Sequence, residues 1–366
     1  MTEDVGNSGQ WCFAWYEAPP ATTTVDKAAL VKANKWPSPS LRLGAIATLA
    51  AVLTACGGGG DSGGGTAEQA VPITATNAAA VGAEATDAGS GGLANSLAFL
   101  TGVQVSTDMA PAPSTIGSLA SALRLILKVK APKALVGVTS TETEQCPGGG
   151  SLIVAVNEAS EARSTVGDSF QATFSNCVIE GATTNGALSV RLTEINANET
   201  LIVADLTASQ FTAVVGGVGG RLAGSMRLTL DDTNSAITRI TISGSFTADR
   251  LRSGNVRATR TVSNYQYTFA RTVSSGSTSA TFAMDVGGTF PTIGTASFNA
   301  RSTQAFVTPS GATHPTSGIA KATGAGGSNV TVTVIAGGVR LDVDADGNGT
   351  VDATQNRTWA ELEAQL

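Results

Sequence analysis

The sequence predicts a mainly β protein: one large curved antiparallel sheet, an open half-barrel or a sandwich, with a single covering helix and a disordered tether ahead of it. Three observations point there. From residue 151 onward apolar and polar residues alternate with period two. Leu188, Val190 and Leu192 alternate with Ser189, Arg191 and Thr193, and Met226, Leu228 and Leu230 with Arg227 and Thr229. Tyr265, Tyr267 and Phe269 alternate with Gln266, Thr268 and Ala270, and Val330, Val332 and Val334 with Thr331 and Thr333. That period belongs to strands with one buried face. Turn clusters separate the runs, as at Asp231-Asp232-Thr233-Asn234 and Ser274-Ser275-Gly276-Ser277. Finally, no helical crossover interrupts residues 151–340, which parallel strands would require.

Composition narrows the function. The 366 residues are 42% hydrophobic, 14% charged and 5% aromatic, with 43 glycines, one histidine and a net charge of −6. This balance excludes a basic nucleic-acid binder, a collagen and a multi-span helical membrane protein. A lone His314 argues against most histidine-dependent enzymes and histidine-rich metal sites.

Taken in order, residues 1–30 read as an extension or a mis-called start, with translation expected to begin near Leu30 or Val31. Residues 31–55 read as a secretory signal. Lys32, Lys35 and Arg42 precede an apolar run over residues 43–55, which is too short for a permanent membrane helix but fits an h-region. The run ends Leu53-Thr54-Ala55-Cys56, which resembles the lipobox of bacterial lipoproteins. That resemblance implies diacylglycerol on Cys56, cleavage before it and acylation of the new N-terminus. Two or three acyl chains anchor stably where one is marginal. In that family an aspartate after the cysteine favours the inner membrane. Gly57 stands there, which implies the outer membrane.

Residues 56–92, Cys56 followed by a run rich in Gly, Ala and Thr, have few large apolar groups and are expected to stay disordered. Residues 93–133 read as helical. Ile116, Leu119, Leu123, Ile126 and Leu127 form one stripe, Ser114 can cap its start, and Pro111, Pro113 and Pro132 bound it. The helix is expected to pack on the sheet rather than on a membrane or partner. Residues 134–366 form the β domain. A transmembrane barrel has a similar alternation. However, the outward residues are Thr, Ser and Arg, tyrosines are few, and the chain ends without an aromatic.

Once residues 1–55 are removed and lipidation takes Cys56, Cys146 and Cys177 are the cysteines left. In an exported chain they are expected to form a disulfide, the alternative being two buried free thiols. A zinc site would need further ligands at metal spacing.

The strongest chemical motif runs from Asp342 to Asp352. Read from Asp344 it follows a calcium-binding EF-hand loop. Asp344, Asp346 and Asn348 take positions 1, 3 and 5, Gly349 the sharp turn, Thr350 a carbonyl, Val351 an apolar anchor and Asp352 position 9. Position 12 is Gln355, so the bidentate carboxylate is missing. An alternative register starts at Asp342. The flanks read as strand, so the loop is expected to be a weak structural calcium site or a plain polar hairpin turn. The acidic stretch from Asn157 to Glu161 lacks this spacing and is assigned no metal.

Residues 146–192, the Asp-rich loop and Thr358-Trp359-Ala360-Glu361-Leu362 together resemble uncharacterised lipoproteins of Gram-negative bacteria. The resemblance covers most of residues 140–366. It implies fold and location, with no reaction to carry over.

Other signals fail on context. Gly60-Asp61-Ser62-Gly63-Gly64 spells a serine-protease nucleophile motif, but it lies in the tether, with the only histidine far downstream. Gly216-Gly217-Val218-Gly219-Gly220 lacks the spacing and helix of a nucleotide site. Arg250, Arg252, Arg257, Arg260 and Arg271 read as a solvated face or edge protection, with anionic lipid headgroups as the minority reading. The expected function is a non-enzymatic structural or interaction protein of the cell envelope. It would meet the membrane through its lipid anchor, and a lipid or an envelope protein as partner, without nucleic acid. A carrier of a lipophilic ligand is the alternative, and a carboxylate-dependent hydrolase a further one.

Overall fold

The computed structural model describes residues 69–90, 115–129, 140–157, 164–179 and 181–366. The segment expected to be a signal, Cys56, the Gly-rich run after it and the prolines expected to bound the helical segment lie outside the described residues.

Fourteen strands form one antiparallel sheet, and their spatial order is their order in the chain. They are β1 (Ser140–Gln145), β2 (Ser151–Asn157), β3 (Ser169–Ile179), β4 (Ala182–Ile195), β5 (Leu201–Val215), β6 (Val218–Asp231) and β7 (Ile237–Arg252). Then come β8 (Asn255–Thr272), β9 (Thr278–Phe290), β10 (Gly294–Thr308), β11 (Ser317–Thr323), β12 (Asn329–Ile335), β13 (Gly338–Asp344) and β14 (Ala353–Thr358). β1 and β14 pair on one side only, so the sheet is open and single, not a sandwich. Several strands are bulged. The register slips between Phe174 and Cys177, Ala208 and Phe211, and Ser263 and Gln266. Asn176, Gln210 and Asn264 adopt φ of 48°, 52° and 52° there, the left-handed backbone that an extra bulge residue takes.

The alternation lands as expected. Leu188, Val190, Leu192, Met226, Leu228, Leu230, Tyr265, Tyr267, Val330 and Val332 are buried on one face. They join a single core with both long helices. The expected helix is α2 (Thr115–Lys128), which packs on β3 and β6 with Leu119, Leu123 and Ile126 inward. A short terminal helix, α3 (Trp359–Glu363), starts on a capping box between Thr358 and Glu361 and buries Trp359 and Leu362. The Thr358 hydrogen bonds hold the Glu361 carboxyl below its ordinary range.

Part of the segment expected to be a tether is ordered. Ala70 and Val71 run beside β10, and α1 (Ala78–Ser90) then packs over β9 to β13. This corrects the expectation of disorder to residue 92. The small side chains of α1 supply little burial each, but they allow close approach. A Cβ on Gly82 would lie only 3.1 Å from Leu341 and 3.3 Å from Val332. Helix and sheet exclude water together, and the helix gains order from that contact.

Candidate metal site

The Asp-rich segment is the hairpin loop between β13 and β14, closed where Asp352 N donates to Val343 O at 2.7 Å. Strand flanks are therefore found, as expected. Carboxylate oxygens of Asp344, Asp346 and Asp352 all lie within 4.8 Å of one another. Asp344 is 6% exposed, while Asp346 and Asp352 are open to solvent. Gly349 has φ of 88°, the left-handed turn expected at position 6.

The hydrogen bonds divide each carboxylate's oxygens. Asp344 Oδ2 accepts from Asn329 Nδ2 at 2.9 Å and from Gly349 N at 3.0 Å. Asp344 Oδ1 is buried with no partner. Burial raises the Asp344 carboxyl, but the Asn329 amide and the loop N–H groups outweigh it and hold the group below its ordinary value. Asp352 Oδ2 accepts from Ala345 N at 2.7 Å. Asp346 accepts from Asn348 N at 3.1 Å and from Asn348 Nδ2 at 2.9 Å. Asn348 Oδ1 accepts from Thr350 N at 2.7 Å. The loop thus concentrates three carboxylates and leaves Asp344 Oδ1 buried without a hydrogen-bond partner. Hard oxygens so arranged suit a calcium ion, which takes six to eight of them.

Two sequence-derived ligands fall outside. Gln355 sits on β14 opposite Leu341. Its Nε2 donates to Ala75 O at 2.6 Å and its Oε1 accepts from Arg357 at 2.8 Å. The hairpin register carries it off the loop, so an EF-hand's twelfth position does not transfer. Asp342 is held by Arg340 Nε at 2.9 Å and by Thr354 Oγ1 at 2.8 Å, which removes the register beginning there. Val351 is 53% exposed rather than an apolar anchor. Asn329, which braces Asp344 from β12, is the member that sequence reading missed. No motif marks it, because a 15-residue separation across a hairpin brings it in.

Elsewhere, Cys146 and Cys177 are bonded with Cα atoms 5.3 Å apart. Cys56 lies outside the described residues. Of the five arginines read as a solvated face, Arg252, Arg257 and Arg271 are exposed, but Arg250 and Arg260 point inward and are buried. They occupy apolar positions of the alternation, Phe246-Thr247-Ala248-Asp249-Arg250 and Ala258-Thr259-Arg260-Thr261-Val262. Arg260 Nη2 donates to Glu84 Oε2 of α1 at 2.5 Å, with Asp87 also buried on α1. Burial raises the Glu84 carboxyl despite Arg260 and Arg250, and burial likewise lowers Arg250. A pair of acids in an alanine-rich helix and two arginines at inward strand positions were the available sequence signals.

Among the described residues, the fold and loop define a class: an open antiparallel β meander with two helices on its apolar face and an acidic loop near one edge. Comparison with family models, curated proteins and solved structures gives no match for this chain.

Proposed function

We propose that this chain is a non-enzymatic scaffold of the cell envelope, held at the outer membrane by lipid on Cys56 and stiffened by one weakly bound structural calcium ion in loop 344–352. The observation that carries the calcium reading is that Asp344, whose carboxylate clusters with those of Asp346 and Asp352, has a buried Oδ1 without a hydrogen-bond partner. Asp344, Asp346 and Asp352 would supply carboxylate oxygens, and Asn348 and the Thr350 carbonyl would complete one side. The scaffold reading is supported by the sheet's apolar face being packed with the chain's own helices. The hydrolase reading loses ground here, since Glu84 and Asp87 are matched by Arg250 and Arg260 deep in the core.

One observation favours a second reading, a carrier of an amphiphile with an anionic head. Arg260 Nε and Nη1 and Tyr265 Oη are buried on the inner face without partners. That reading requires an acidic lipid to extract with the purified protein.

Thermal melts with calcium and with chelator test the ion. With a Kd of about 10⁻⁴–10⁻³ M, about 2 mM calcium should stabilise the fold by roughly 0.7–1.8 kcal/mol. Asp344→Asn keeps an acceptor for Asn329 and Gly349 but removes the charge, so it should abolish that increment. A wild type whose melt ignores calcium would leave the loop a solvated turn. For the anchor, Cys56→Ser should move the protein from the membrane fraction to the soluble one. Unchanged partition in that variant would sink the lipoprotein reading.

A further inference from the structure

We infer that the acidic loop is a clasp on the segment leading into α1, and that a calcium ion in the loop closes it. This rests on the calcium reading above and gives the ion a role there, control of how firmly the N-terminal segment is held to the β body.

The segment in question is threaded past the β11–β12 turn, residues 324–328. Ser297 N donates to Gln69 O at 3.2 Å and Val71 N to Ser297 O at 3.0 Å, so the chain first lies along β10. It is then gripped by the turn. Ala325 N donates to Val71 O at 2.9 Å, and Ile73 N donates to Ser328 Oγ at 2.8 Å. Ser328 is 1% exposed. A Cβ on Gly324 would lie 2.0 Å from Val71 O, so a side chain at that position would close the passage.

The same turn is braced by the acidic loop. Asn329 Nδ2 donates both to Gly327 O at 3.1 Å and to Asp344 Oδ2 at 2.9 Å. The two backbones also touch, since a Cβ on Gly347 would meet Gly326 O at 2.7 Å and Gly327 C at 2.8 Å. From the other end of the loop, Gln355 on β14 reaches Ala75 O at 2.6 Å. Residues 71–75 are therefore held on one side by a turn that leans on Asp344 and on the other by the strand that leaves the loop.

Asp344 is the shared member. Its Oδ2 belongs to the clasp, its Oδ1 is buried without a hydrogen-bond partner, and one of its oxygens lies within 4.8 Å of oxygens of Asp346 and Asp352. Three carboxylates this close repel one another and push the loop open. A divalent cation held among them reverses that force and draws the loop down onto the turn. Opening of the clasp and release of the ion then become one event, a local opening well below global unfolding in cost.

Hydrogen exchange on the full purified chain, with calcium chloride or chelator as the only variable, tests this. If the clasp opens only after the ion leaves, exchange across residues 69–77 slows by the factor 1 + [Ca]/Kd. That is about 3- to 20-fold at about 2 mM calcium for a Kd of about 10⁻⁴–10⁻³ M. Strands β4 to β6, remote from the loop in strand order, should keep their rates. The double variant Ser328→Ala/Gln355→Ala alters neither a carboxylate nor Asn329. It should lose the protection of residues 69–77 and, because opening and release are one event, bind calcium more weakly than wild type in calorimetry.

The outcomes separate. Calcium binding with protection confined to residues 344–352, or spread equally over β4 to β6, overturns the clasp and leaves the ion site standing. Full calcium-dependent protection retained in the double variant also overturns it. Absence of any calcium binding overturns the site reading and the clasp together.

Discussion

Arg260→Met should be the most damaging single substitution in the β body, costing about 3–5 kcal/mol in a denaturant melt. The Arg260 side chain is fully buried and Glu84 is 3% exposed, so neither charge has water to fall back on. Removing one partner strands the other. Arg250 remains nearby but is itself held below its ordinary range by burial. The loss should carry a pH signature. In the unfolded chain the Glu84 carboxyl titrates near its ordinary 4.5, while in the fold burial already raises it. Without its main counter-cation it rises further, so over a window above 4.5 the folded variant holds a proton that the unfolded chain does not. Stability then falls as pH rises through that window, and the variant should be weaker at about pH 8 than at about pH 5. Glu84→Gln combined with Arg260→Met should recover most of the loss, since a buried pair replaced by neutral groups is often neutral or stabilising. Equal melts for Arg260→Met and wild type at both pH values would disprove a role for this pair in holding α1.

Removing the disulfide should cost nearly as much. Cys146→Ala with Cys177→Ala opens a loop of sequence separation 31, which chain entropy values at about 3–4 kcal/mol. The bond staples the β1–β2 turn to β3. Around it Gly148 N donates to Val178 O at 3.0 Å and Val178 N to Gly149 O at 2.8 Å. Because β1 to β3 form one end of the sheet, the deficit should appear as fraying of these strands before the rest unfolds. Hydrogen exchange over residues 140–179 reads it directly, and protection equal to wild type there would count against the staple.

What the sequence revealed and what it hid divide along local and tertiary causes. Period-two burial at Leu188, Met226 and Val330 needs only the pleat, so it could be read directly. The α2 stripe of Leu119, Leu123 and Ile126 needs only the helical period. α1 could not be read this way, since its order comes from Ala and Gly surfaces meeting strands far along the chain. Arg260 was misread because an arginine in an alternating strand is usually on the wet face, and only Glu84, 176 residues away, reverses that. In the acidic loop the aspartates could be read from spacing. The fate of Gln355 could not, because the template supposes a helix after the loop where the chain makes a strand. The pairing of Leu341 with Gln355 decides its neighbours instead.

The strictly sequential strand order also sets how the molecule is assembled. Each strand pairs with the one made just before it, so loop closure is cheap and the sheet can grow by one hairpin at a time from β1. α1 breaks that rule. It precedes every strand, yet its partners are β9 to β13, and the contacts from Ile73 to Ser328 and from Ala75 to Gln355 span 255 and 280 residues. Synthesis from the N-terminus delivers this helix first and its docking site last. In the interval the apolar face of the growing sheet stands open, a surface for holdase chaperones and for aggregation. The long-range return of the N-terminal segment to the finished sheet is then the step expected to be slowest in folding.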